Sequence, residues 1–181
     1  EKEEHVGISH GYKPCQTAVG TTNGAGGRNV QLVVMAADRT VVHVLPGFWS
    51  AEDLLPELAF AMRLHEVYRD DGRSPEGKAA MFAAMHRAFA RRLSPETIAR
   101  SRWQDFDIWA EVDRAKTEKR DVFVLGPDGK PQSGESGQPM VKPICQLVHE
   151  RLAERPFQPL ATFDMESFVD YGRPFYDNNA G

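Results

Sequence analysis

The stretch from Val30 to Arg63, VQLVVMAADRTVVHVLPGFWSAEDLLPELAFAMR, decides how the chain is read. Its first six residues are almost all apolar and rich in valine, which suits a pleated strand. The turn-forming run Ala36–Arg39 follows, and Thr40–Leu45 repeats the β-branched pattern. Two strands of this length joined by so short a link predict a hairpin over residues 30–45. Pro46 and Gly47 stop the second strand, and Ser50 followed by Asp53 has the spacing of a capping box. Ser50 would bond the Asp53 amide while the Asp53 carboxylate reaches back. The helix that starts there places Leu54, Leu55, Leu58, Met62 and His65 at 3.6-residue spacing, a stripe expected to lie on the hairpin, and Pro56 near its start can disturb one turn only. The class implied is α/β.

Two further helix starts use one device, SPEG at 74–77 and SPET at 94–97. Serine caps, proline takes the first helical position, and glutamate faces the positive end of the helix dipole. The first of these helices, about 75–92, sets Met81, Phe82, Met85, Phe89 and Leu93 on one stripe with Arg87, Arg91 and Arg92 off it; the second is short. A helix around 107–119 is expected to turn Trp109 and Val112 inward and a charged face outward. Residues 121–132 read as a strand and a Pro-Asp-Gly turn, and SGESGQP reads as a flexible break. Residues 141–156 form one more amphipathic helix on Ile144, Leu147, Val148 and Leu152. In the tail, Phe163, Phe168, Tyr171, Phe175 and Tyr176 carry too much apolar area for a free end and should fold back on the body. The resulting division is residues 1–72, a helical insertion at 73–120, and a C-terminal extension at 121–181.

With 181 residues, 41% hydrophobic and 27% charged, the chain has room for one main core and the composition of a globular protein. A net charge of -4, with only residues 86–120 weakly basic, argues against nucleic acid as a partner. No apolar run approaches the roughly 20 residues that span a bilayer. The chain opens EKEEHVG, without methionine, so further sequence upstream is expected, a removed signal peptide among the fits.

The order strand, tight turn, strand, glycine-containing corner and long helix over Val30–Arg63 resembles the C-terminal half of thioredoxin-like domains, and the turn AADRT and the exit LPGFWSAEDLL are similar to those of members that work outside the cytoplasm. The resemblance implies a thioredoxin-like sheet hairpin with a covering helix. It also implies a periplasmic or other extracytoplasmic location, with the cytoplasm as the alternative. Two family features are missing. No Cys-x-x-Cys occurs, because the two cysteines stand at 15 and 145, and Asn29 takes the place of the family's cis-proline before Val30. The implied function is therefore an accessory or protein-binding one, without two-cysteine disulfide exchange in this chain.

The remaining chemistry is sparse. Cys15 lies next but one to Lys13, which favours a thiolate, so a thiol-dependent redox enzyme using Cys15, or a Cys-x-x-Cys upstream of Glu1, is the alternative function. Cys15 and Cys145 could instead pair as a disulfide, or both be buried and inert. No cofactor and no metal are expected; the competing reading is a copper or zinc site from His5, His10 and Cys15, spaced five apart. His43, between valines, and His65 read as core or boundary histidines, whereas His86 and His149, beside arginines and glutamates, read as solvated. Asp105, Asp107, Glu111 and Asp113 read as a solvated charged face. TTNGAGG lacks the lysine and the following helix of a phosphate loop. Phe48 and Trp49, at the strand-to-helix corner, are the expected anchor for a protein partner if exposed. Oligomeric state is not readable.

Overall fold

The computed structural model describes residues 32–47, 49–101, 103, 105–117, 121–165 and 168, with residues 105–107, 109 and 110 described by backbone alone. Helix and strand are mixed, as an α/β reading requires. Strands β1 (Leu32–Met35) and β2 (Val41–Leu45) pair antiparallel, Leu32 opposite Leu45 and Val34 opposite His43, with a bulge at the Val34/Met35 step. The link is closed by Arg39, at φ 67°, whose amide bonds the Ala36 carbonyl, and by the Asp38 carboxylate, which accepts from the Thr40 amide and the Tyr68 hydroxyl. All five residues of β2 are buried, while β1 is partly exposed. Gln158 and Leu160 bond the backbone of Val41 and Arg39, so the chain near 158–160 runs beside the start of β2.

Helix α1 (Ala51–Arg69) follows the hairpin, and its phase differs from the one the leucines suggest. Leu55 and Met62 are 67% and 70% exposed, and the buried face is Asp53, Glu57, Phe60, Ala61 and Leu64. That set has the same helical period, turned so that two carboxylates face inward. Each has a partner there: Arg100 bonds Asp53 with two nitrogens at 2.7 and 2.8 Å, and histidines meet Glu57. The Ser50 cap also differs, because its hydroxyl donates to the Asp53 carboxylate at 2.9 Å instead of accepting from the Asp53 amide. Pro56 sits inside the helix without ending it.

Helices α2 (Pro75–Ala90) and α3 (Pro95–Arg100) start as their sequences dictate. Ser74 accepts from the Gly77 amide and Ser94 from the Thr97 amide, both at 3.1 Å, with proline just inside. Phe82 and His86 are buried on α2, and Arg87, Arg91 and Arg92 are exposed. Helix α4 (Asp105–Arg114) is followed by two tight turns whose left-handed positions fall on Gly129 and Gly137. Short bridges, Phe123 with Val141 and Ser133 with Pro139, ladder this region together, so SGESGQP forms a bonded turn and 121–125 bridges without becoming a strand.

Helix α5 (Ile144–Leu152) is the hub. Seven of its nine residues are buried, because α2, α3 and β2 all pack on it. Its start is capped from a distance, the Ser101 hydroxyl accepting from the Cys145 amide at 2.7 Å. Phe82, Val44, Ile144, Phe163 and Phe168 share one core cluster, which ties the helical segment and the C-terminal extension to the hairpin. Tyr171, Phe175 and Tyr176 lie outside the described residues. So does the Trp109 side chain, while Val112 packs on a smaller cluster as expected. Glu111 is not solvated: 1% exposed, it receives bonds of 2.6 and 2.9 Å from buried Arg151, which also bonds Asp121 and the Phe168 carbonyl. Asp113 does face solvent, paired with Lys116.

Candidate metal centre

Four elements each send one titratable side chain to the same buried point. His43 comes from β2, Glu57 from α1, His86 from α2 and His149 from α5. The Glu57 carboxylate divides its oxygens between two rings: Oε2 lies 2.9 Å from His43 Nε2, and Oε1 lies 3.2 Å from His149 Nε2. The other side of His149 meets His86, Nδ1 to Nδ1, at 2.9 Å. Phe60 stands edge-on to His43 and His86, Phe82 lies against His86, and Phe89 covers His149 at 4.5 Å between ring centres. The three histidines are 0% exposed and Glu57 is 2% exposed, so the polar group sits inside an aromatic collar.

The electrostatics follow from that burial. Removal from water alone would raise Glu57, but the attraction and hydrogen bonds of His149, and then of His43, outweigh it and hold the carboxyl at about 2. Glu57 is thus ionised and accepts from both rings. For His43, burial outweighs Glu57 and lowers its affinity for a second proton, leaving a neutral ring that donates from Nε2 and carries an unshared lone pair at Nδ1. His86 is pushed well below the usual imidazole range by burial and by the neighbouring rings. His43 Nδ1 and His86 Nε2 have no hydrogen-bond partner. Leaving such a buried atom unmatched costs about 1–3 kcal/mol in a protein interior. The network is therefore incomplete at both ends.

One ligand atom each from His43, Glu57 and His149 lie within 4.8 Å of one another, and among the described residues this is the group of three or more metal-ligating side chains that comes together. Metal bonds of 2.0–2.2 Å in tetrahedral geometry separate neighbouring ligand atoms by roughly 3.3–3.6 Å. The two histidine–carboxylate separations, 2.9 and 3.2 Å to different Glu57 oxygens, lie within a few tenths of an ångström of that spacing, and all three ligand atoms lie within 4.8 Å of one another. Two imidazoles and a carboxylate suit zinc, iron(II), cobalt(II) or manganese(II), with coordination left over for water or a ligand. His149 would donate its Nδ1–H to His86, the outer contact that commonly orients a metal-bound imidazole.

A cleft of about 380 Å³ has Glu57, but none of the three histidines, in its lining, beside Pro56, Phe89 and Leu93.

The sequence-predicted residues are placed differently. His5, His10, Cys15 and Phe48 lie outside the described residues, and with them the Cys15–Cys145 pair and the proposed copper or zinc set. Cys145 is a buried thiol, raised by desolvation, which makes it a poor nucleophile. Trp49, expected at an exposed corner, is 7% exposed: it packs with Leu45 and Cys145, and its indole donates to the Pro46 carbonyl at 2.9 Å. His43 is in the core as expected, and His65 is half-buried against Tyr68. His86 and His149, read as solvated, are fully buried. The signal that could have placed them is helical phase, since Phe82, His86 and Phe89 fall on one face of α2, and His149 follows Leu147 and Val148 in step with Cys145 and Leu152. Glu57 carried no such mark.

No family model matches the chain, and no curated protein or solved structure matches it either. Among the described residues no helix is long and apolar enough to cross a membrane.

Proposed function

We propose that the chain is a metal-binding protein that holds one divalent transition-metal ion through His43 Nε2, the Glu57 carboxylate and His149 Nε2, with His86 supporting His149 from behind. The observation that carries this reading is the convergence of three buried ligand atoms within 4.8 Å from residues 43, 57 and 149. The residues bind and orient the ion, the aromatic collar keeps bulk water away, and the cleft supplies entry. Such an ion would act as a Lewis acid or polarise a bound water.

Metal analysis after chelation and reloading tests it. The wild-type chain should retain one zinc or cobalt ion, and Glu57→Gln, which keeps shape but removes the charge, should lose most of the affinity. A folded wild-type chain that retains no metal, or a Glu57→Gln chain that loads equally well, contradicts the reading.

A second reading, a thioredoxin-like accessory protein, is favoured by the antiparallel hairpin followed by its packed helix. It predicts no reduction of insulin disulfides by this chain with dithiothreitol as electron source, above the dithiothreitol blank. Turnover would contradict it in favour of the redox alternative through Cys15.

A further inference from the structure

We propose that the cleft over Glu57 binds a small organic carboxylate with an apolar body, taken up after the metal and completing its coordination. This rests on the metal-binding reading. A volume of about 380 Å³ falls in the range of small-molecule sites, and Pro56, Phe89 and Leu93 give its lining an apolar part beside Glu57. Much of the polar lining is already committed. Arg100 is held by Asp53 and, at 3.4 Å, by Glu52, and the Thr97 hydroxyl donates to Asp53 at 2.7 Å.

Arg92 is the exception. Exposed in the lining, it makes no ion pair among the described residues. The charge balance sets the order of binding. Glu52, Asp53 and Glu57 against Arg92 and Arg100 leave the lining with one negative charge, which attracts a cation and repels an anion. A divalent ion on Glu57 reverses that sign and leaves one positive charge for a monoanion. Three protein ligands leave a position on the ion for its carboxylate or for a water beneath it, while Phe89 and Leu93 take the apolar chain and Arg92 supplies attraction at the mouth.

The test uses the full chain loaded with cobalt(II), whose visible absorption changes with coordination, titrated with butyrate, with butylamine and with inorganic phosphate. Butyrate should shift the cobalt spectrum and bind the loaded chain in preference to the metal-free one, and butylamine and phosphate should not match it. Arg92→Gln, an exposed change, should weaken butyrate by about threefold, as for one solvated ion pair. Leu93→Trp should abolish the butyrate response while cobalt uptake persists. A chain that takes no cobalt overturns the metal reading itself. A chain that takes cobalt but whose spectrum ignores butyrate, or answers equally to butylamine or phosphate, overturns the cleft ligand alone.

Discussion

His86 makes no hydrogen bond to the Glu57 oxygens, yet it holds the His149 ring by the nitrogen that the carboxylate leaves free. With His86 Nδ1 at 2.9 Å, His149 is held on both nitrogens, and its ring cannot rotate without losing one contact. Replacing His86 by leucine should lower cobalt affinity by about 10–100-fold, the usual loss for an outer-shell partner. His86→Asn, whose side-chain oxygen can stand near the position of Nδ1, should recover much of it. Equal loss in both variants, measured by competition with a chromophoric chelator, would make His86 a packing residue only. At this scale the sequence misleads for a physical reason. Arg87 and Glu150, the chain neighbours of His86 and His149, do face outward or partly so, but neighbours on a helix point about 100° apart. A charged neighbour therefore says little about the direction of the ring.

Among the elements, those set by local chemistry were legible and those set by distant partners were not. The two Ser-Pro-Glu starts form because the cap, the proline and the amide they serve lie within one turn, and the hairpin forms from its own valines. Ser74→Ala should accordingly cost about 1 kcal/mol in urea unfolding, the usual value of a lost cap. No change would show that the Gly77 amide finds another acceptor. Helix α1 took the opposite course. Its phase follows His43, 14 residues away, and Arg100, 47 away, so counting apolar residues pointed Leu55 and Met62 inward when Asp53 and Glu57 belong there. Glu111 was misread in the same way, its partner Arg151 lying 40 residues on. Arg151→Ala leaves Glu111 buried and poorly matched and should destabilise the chain by about 3–5 kcal/mol. A joint Glu111→Leu, Arg151→Met change should cost less; a joint change as damaging as the single one would contradict the burial of that pair.

For the whole molecule, the buried titratable cluster makes stability depend on pH. His43 and His86 take up protons less readily when folded than at their ordinary value of 6.5, so in the chelated protein their contribution is complete above that pH and is lost as the pH falls below it. Each proton taken up on unfolding makes the slope about 1.4 kcal/mol per pH unit. Glu57 adds a second window, its contribution present above 4.5 and lost as the pH falls toward about 2. Urea unfolding of the metal-free chain should thus weaken steadily from roughly pH 7 to roughly pH 5, and a flat profile there would contradict neutral, buried His43 and His86. One main core was legible from length and apolar content, and the largest cluster joins hairpin, helices and C-terminal extension. The meeting point of four helix and strand positions was not, because no spacing in the chain encodes it.

The most direct measurement is anomalous diffraction at the metal edge from crystals of the zinc-loaded chain. The account predicts a peak bonded to His43 Nε2, Glu57 and His149 Nε2 at about 2.0–2.2 Å. Its absence there, or a peak only at His5, His10 and Cys15, would contradict it.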